Sequence, residues 1–232
     1  MLHNWDKRIK ILRISTVVIV FVLIMLLLLA GFTIYGNKVG NFIIKVNQDD
    51  IKLSLSVDES LNNLTGRLAF SGLDGQNNAT YSNIPSNIVE GLGEKNDWYG
   101  EHYIAYSFYL INKGSAAIDY DVSLDVVDTV GDPLSILRVL IIEGDGVDKT
   151  EGIVYAKPEA SEENAAYLRA NTDYETVPFK NDIQLIERHE IELMPNVPVK
   201  YTIVIWIEGW DVECVDERID DRVKMELTFT GK

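Results

Sequence analysis

Long stretches of this chain alternate between apolar and polar residues. Ile51, Leu53, Leu55 and Val57 are separated by Lys52, Ser54 and Ser56. Ile118, Tyr120, Val122, Leu124 and Val126 are separated by Asp119, Asp121, Ser123 and Asp125, and Val223, Met225, Leu227 and Phe229 by Lys224, Glu226 and Thr228. A period of two with one polar face predicts strands covered on one side, the pattern of antiparallel sheets. Residues 42–46, 103–111, 137–142 and 201–207 are apolar on both faces and predict central strands or strands under a loop, and 64–70 is a weaker strand. Turn chemistry at Asn47-Gln48-Asp49-Asp50, Asn112-Lys113-Gly114-Ser115, Gly144-Asp145-Gly146 and Met194-Pro195-Asn196-Val197-Pro198 separates them. Residues 103–111 and 117–127, joined by the turn at Asn112, predict a hairpin. One helix is predicted after Ser161, a capping residue followed by Glu162, Glu163 and good formers to Arg169. Residues 72–100 and 209–222 read as extended loops. Many short strands with turn signals predict an all-β, two-sheet antiparallel sandwich.

A different pattern precedes the strands. Residues 14–34 carry no charge, and their polar side chains are those of Ser15, Thr16 and Thr33. As a helix this run spans roughly 30 Å, the thickness of a hydrocarbon core. Lys7, Arg8, Lys10 and Arg13 precede it, which keeps that side in the cytoplasm and sends the remainder outward. The organisation expected is a basic cytoplasmic segment (1–13), a transmembrane helix or signal anchor (14–34), a linker (35–41) and an extracellular β-sandwich domain (42–232). The alternative is a cleaved signal and a secreted domain. Small residues fit the cleavage positions poorly, since cutting after Ala30 puts Leu28 at −3 and cutting after Gly36 puts Ile34 there.

Charge narrows the partners. The chain has 21 basic and 36 acidic residues; residues 1–36 hold 4 and 1 of them, so the remainder carries 17 against 35, a net of −18. Such a surface repels nucleic acid and anionic lipid. Cys214 is the one cysteine, so an internal disulfide is impossible, and a buried thiol is its expected state.

The chemistry-bearing motifs are sparse. His189-Glu190-Ile191-Glu192 matches half of a zinc-protease helix but alternates like a strand, and three histidines cannot build a His-rich zinc site within one segment. Neither a Gly-x-Ser-x-Gly elbow nor a phosphate loop occurs. No catalytic residue, metal ligand or cofactor site is therefore expected. Glu208, Asp211, Glu213, Asp216, Glu217, Asp220 and Asp221 crowd one loop, and Asp145 and Asp148 another. Clustered carboxylates suit calcium, but the spacing is not that of an EF-hand, and a solvated acidic loop is expected. Trp206 sits in an apolar strand and reads as core, whereas Trp98 and Trp210 lie in loops as candidate ligand-contact aromatics. Asn63-Leu64-Thr65 and Asn78-Ala79-Thr80 fit the N-glycosylation pattern. Gly36-Asn37-Lys38-Val39-Gly40 is a flexible joint before the strand at Phe42, Ile43, Ile44 and Val46. As an edge strand beside such a joint, it suits exchange into a neighbour's sheet as well as pairing within its own.

Several phrases resemble one family. Tyr106-Ser107-Phe108-Tyr109-Leu110-Ile111-Asn112-Lys113-Gly114 is similar to the F-Y-L-x-N-x-G hairpin of the TasA/camelysin family, Gram-positive surface proteins exported with a dedicated signal peptidase. Val39-Gly40-Asn41-Phe42, Val154-Tyr155-Ala156-Lys157-Pro158 and the run from Lys200 to Cys214 resemble segments of its membrane-bound relatives. The resemblance implies a jelly-roll sandwich and a non-enzymatic structural role, with subunits joined by strand exchange into biofilm-matrix fibres. Two features depart from it: the poor cleavage site, and the lack of any metal motif behind the metalloprotease description given to some members. A member retained in the membrane is expected to anchor or nucleate fibres, as a homo-oligomer or with related surface subunits. The competing readings are an extracellular binding module for carbohydrate or another surface protein, working through Trp98 and Trp210, and a metal-dependent hydrolase.

Overall fold

The computed structural model describes residues 18–27, 42–47, 52–70, 78–92, 97–145, 147–215 and 221–232, in two compact units, Met1–Val39 and Gly40–Lys232. In the first unit residues 18–27 form a helix (α1) with its side chains exposed. Among the described residues no helix is long and apolar enough to cross a membrane. The rest of the 14–34 run, and the linker 35–41, lie outside them.

The second unit is mostly β-structure in two facing sheets. Its strands are β1 (Phe42–Val46), β2 (Leu53–Ser56), β3 (Arg67–Phe70), β4 (Asp97–Tyr99), β5 (Tyr103–Asn112), β6 (Ile118–Val130), β7 (Leu137–Glu143), β8 (Ile153–Ala156), β9 (Thr176–Pro178), β10 (Gln184–Leu193), β11 (Val199–Ile207) and β12 (Arg222–Gly231). The five-stranded sheet has the order β10-β6-β12-β1-β3. The seven-stranded sheet has the order β2-β5-β11-β7-β8-β9, with β4 also on β5.

The core lies between the sheets. The five-stranded sheet contributes Phe42, Ile44, Val122, Leu124, Leu227 and Phe229, and the seven-stranded sheet faces them with Tyr106, Phe108, Val139, Tyr201, Ile203 and Ile205. Alternation is the cause in the first sheet: β6 begins buried–exposed–buried, and its Asp and Ser positions face away from the core. The seven-stranded sheet is covered on both faces, which is why its strands read as continuous apolar runs. All ten residues of β5 are buried. Its outer face, with Tyr103, Ala105, Leu140, Ile142, Val204 and Trp206, packs against Tyr81, Ile84, Ile88 and Val89. Residues 79–92 are therefore not the extended loop their composition suggests; two short turns of helix, at Tyr81–Asn83 and Ile88–Gly91 (α2), fold them onto the sheet. The helix predicted after Ser161 is present as α3 (Glu162–Asn171), and the Ser161 hydroxyl accepts from the Asn164 amide at 3.1 Å.

The hairpin expected between 103–111 and 117–127 does not form. β5 and β6 belong to different sheets, and the turn between them crosses the sandwich. Asn112 is the physical reason. It is fully buried; its side-chain amide donates to the Ala116 and Leu193 carbonyls at 2.8 and 2.9 Å, and its Oδ1 accepts from the Gly114 amide at 2.8 Å. The side chain takes up backbone groups that a hairpin ladder would have satisfied, and it also ties down the end of β10. Replacing Asn112 by Ala strands these groups and costs about 1–3 kcal/mol. Urea unfolding of the variant is expected to show a lower midpoint at an unchanged slope.

β1 departs from expectation as well. It is not an edge strand but lies between two neighbours, parallel to β12 from Phe42↔Met225 to Val46↔Phe229, and antiparallel to β3 from Phe42↔Phe70 to Lys45↔Arg67. Phe42, Ile44 and Val46 point into the core, and their burial needs the strand to be flanked on both sides.

Candidate functional site

Two regions gather the candidate residues. The first is the β1 slot. Phe42, Ile44 and Val46 are buried, and Phe42 stacks on Tyr106 at a centroid distance of 5.4 Å. Ile43 and Lys45 face outward and are half-buried, with Lys45 paired to Glu226 on β12 at 2.6 Å. The four residues singled out in the sequence thus divide into three core side chains and one outward one.

The second region lies on the outer face of the seven-stranded sheet, around the turn after β11. Trp206 is fully buried, as its apolar strand predicts. Its indole N–H donates to Glu208 Oε2 at 3.0 Å, and the Tyr174 hydroxyl donates to the same oxygen at 2.6 Å. Glu208 Oε1 accepts from the Trp210 amide at 3.2 Å. Three residues after Glu208, Asp211 Oδ2 accepts from Arg138 Nη2 at 2.8 Å, and Asp211 Oδ1 accepts from the Glu213 amide at 2.9 Å. Arg138 Nη2 also donates to Glu159 at 3.1 Å, and Nη1 donates to the carbonyls of Ser135 and Leu137. Glu208 and Asp211 are therefore not part of a solvated acidic loop. Both are buried, and they hold the turn from inside. Asp216 and Glu217, and Asp220 beyond them, lie outside the described residues.

The signal for this network was a lone Arg138 within the apolar run Leu137–Glu143. An arginine facing a covered sheet requires a buried anion. Burial works against the charge of Arg138, and Tyr174, Asp211 and Glu159 outweigh it, so its pKa is raised. Burial pushes the Glu159 carboxyl up, the Asp211 charge adds to that, and Arg138 opposes it. A carboxyl raised in the folded state contributes stability that is complete below the unfolded value, ordinarily 4.5, and lost as pH rises through the folded value. The melting temperature is therefore expected to fall less steeply from pH 4.5 toward neutrality in Glu159→Gln than in the parent chain. Thermal unfolding across that range reads the difference.

Trp98 and Trp210 are both exposed, at 46% and 41%, but they do not share a site. Trp98 on β4 stacks over Tyr103 at 6.4 Å and lies across Gly100, where any side chain would meet its indole nitrogen. Trp210 borders a cleft of about 360 Å³ whose other walls are residues 80–82 and the end of α3 with Asn171, Thr172 and Asp173; Trp98 is not among its lining residues. A second cleft, of about 570 Å³, runs between α3 and β8–β9 over Arg138, Ala156 and Leu168.

The remaining candidates have local roles. Asp148 caps a helical turn, accepting from the Thr150 amide and hydroxyl at 2.9 Å, and these bonds hold its carboxyl below the usual range. His189 lies on β10, in a strand as its alternation predicts, with Nδ1 2.9 Å from Asp121. Among the described residues no three His, Cys, Asp or Glu side chains gather to hold a metal ion. Cys214 is half-buried rather than fully buried. Asn63 and Asn78 are exposed. Compared with protein-family models, with curated proteins and with solved structures, the chain matches none.

Proposed function

We propose that this chain is a non-enzymatic structural protein of the cell surface, tethered by its amino-terminal apolar segment, in which β1 is exchanged between copies. The observation that carries the reading is the place of β1. β3 is antiparallel to β1 and β1 is parallel to β12, so β3 and β12 run antiparallel with β1 wedged between them. With β1 set aside, and with β2, β4 and β9 taken as additions to the other sheet, the orders β3-β12-β6-β10 and β5-β11-β7-β8 support the reading of an eight-stranded jelly roll, whose first and last strands are adjacent. β1 is then an added strand filling a slot at the point where the roll closes.

That slot is indifferent to the origin of its strand. β1 is held by backbone ladders on two sides and by three apolar side chains, and the same strand of a second copy satisfies every one of those contacts. Only a short stretch of chain separates Val46 from Leu53, so self-closure has an effective concentration roughly in the millimolar range; exchange wins where copies are crowded on a membrane surface. The resemblance to the TasA/camelysin family supports the same reading, with this chain as a membrane-held anchor or nucleus for matrix fibres. The test is sedimentation of the full chain reconstituted in vesicles and then released in detergent, with and without an excess of a peptide spanning residues 40–48. Multimers that the peptide shortens are the expected result. Monomers only, or multimers that the peptide leaves unchanged, contradict it.

A second reading, an extracellular binding module, is favoured by the exposure of both Trp98 and Trp210.

A further inference from the structure

We propose that the cleft beside Trp210 binds a neutral glycan, with one sugar ring lying face-down on the indole and its hydroxyls bonded to Asp173 and Ser82. This rests on the binding-module reading and is independent of strand exchange.

The turn that carries Trp210 is held by buried groups. Trp210 is the exposed residue of a turn whose flanking carboxylates, Glu208 and Asp211, are both buried. Burying a carboxylate is costly unless it is fully bonded. Each of these is bonded, Glu208 to Trp206, Tyr174 and the Trp210 amide, and Asp211 to Arg138 and the Glu213 amide. Gly209 closes the turn from the other side. Its amide donates to the Ala79 carbonyl at 2.6 Å, and a side chain at this position would come within 3.2 Å of that oxygen. An exposed aromatic held by buried polar groups has the build of a binding residue, with its supporting contacts set in advance.

The other lining residues are mostly polar. Ser82 shares a hydroxyl bond with Thr80 at 2.7 Å and keeps further bonding capacity. The Asn171 amide nitrogen is engaged by the Tyr167 carbonyl, which leaves its oxygen to accept. The Asp173 carboxylate has no hydrogen-bond partner among the described residues and lies at the cleft, where it accepts from ligand hydroxyls. An aromatic side chain in one cleft with clustered acceptors suits a ring with apolar C–H groups on one side and hydroxyls on its rim. The volume of about 360 Å³ lies at the small end of ligand sites and suits one or two sugar rings.

Charge selects the class. The residues lining the cleft include no lysine or arginine, and the chain after residue 36 carries a net charge of −18, so anionic polysaccharides are repelled. A single aromatic face is not the cage that quaternary ammonium ligands require. Walls of hydroxyl and amide groups are wrong for an apolar peptide.

The test uses the full chain in detergent micelles on an array of immobilised cello-, chito-, laminari-, malto- and xylo-oligosaccharides, with polygalacturonate and heparin as anionic members. The best neutral oligosaccharide is then titrated calorimetrically against variants. The expected result is saturable binding that Trp210→Ala weakens by roughly tenfold, Trp210→Phe weakens less, and Trp98→Ala leaves unchanged. Added salt leaves it unchanged too. Binding that Trp98→Ala removes and Trp210→Ala spares overturns this placement while keeping the binding module. The absence of any neutral oligosaccharide from the bound set overturns the glycan site and leaves the module reading with a protein ligand alone, and preference for polygalacturonate or heparin overturns the charge argument.

Discussion

Replacing Arg138 by methionine is expected to lower the unfolding free energy by about 3–5 kcal/mol and the melting temperature by roughly 10 °C. The guanidinium and the Asp211 carboxylate are both wholly removed from solvent, and Glu159 is nearly so. Removing the cation leaves two carboxylates in a site that has no other positive partner for Asp211 among the described residues. Their mutual repulsion and lost solvation dominate over any gain from packing a methionine stem. The loss is thus a property of breaking the group and not of its net worth. The combined variant Arg138→Met, Asp211→Leu and Glu159→Leu is expected to recover most of the stability, because a buried ion pair rarely outperforms an apolar replacement of similar size. The exposed pair of Lys180 and Glu187 is the contrast: Lys180→Ala leaves the melting temperature almost unchanged. Thermal unfolding of the three variants together reads all of this. An Arg138→Met variant as stable as the parent contradicts the account of how the Trp210 turn is held.

The second large effect is expected at Ile44. It is the central residue of β1, fully buried, and in register with Leu227 on one side and Leu68 on the other. Proline there removes a ladder donor from a strand flanked on both sides, and its ring cannot refill the space of the isoleucine. The cost is roughly 4 kcal/mol, the sum of a truncated core side chain and a stranded backbone partner. The slot's indifference to the origin of its strand adds a sharper expectation. A peptide spanning residues 40–48 raises the melting temperature of Ile44→Pro, and the same peptide carrying Ile44→Pro does not. Rescue by both peptides, or by neither, contradicts the view of β1 as an exchangeable strand.

Much of the sandwich was legible because alternation reports faces. Ile118, Tyr120, Val122 and Leu124 point inward as the pattern requires, and the unbroken apolar runs at β5, β7 and β11 are the strands covered on both sides. Alternation does not report partners. β5 and β6 are consecutive and joined by a tight turn, yet the bonding of Asn112 sends them to opposite sheets. The neighbours of β1 were hidden for the same reason, since β12 lies at the far end of the chain. Charge was the other blind spot. Glu208 and Asp211 look like their solvated neighbours in composition, and only their partners, Trp206, Tyr174 and Arg138, make them interior residues. The cleft at Trp210 brings together residues from three distant segments, and their spacing along the chain carries no trace of it.

The exchange of β1 is tested most directly by a disulfide across its pairing with β12. Ile43 and Glu226 are in register and both face outward, so cysteines placed there do not disturb the core. The chain carrying Ile43→Cys, Glu226→Cys and Cys214→Ser is inserted into membranes at high density, oxidised, and run without reductant. The account predicts a ladder of covalent multimers that collapses to one band on reduction, with Ile43→Cys or Glu226→Cys alone giving nothing beyond a dimer. Complete oxidation confined to single chains would contradict it, and β1 would then be a permanent strand of its own sandwich.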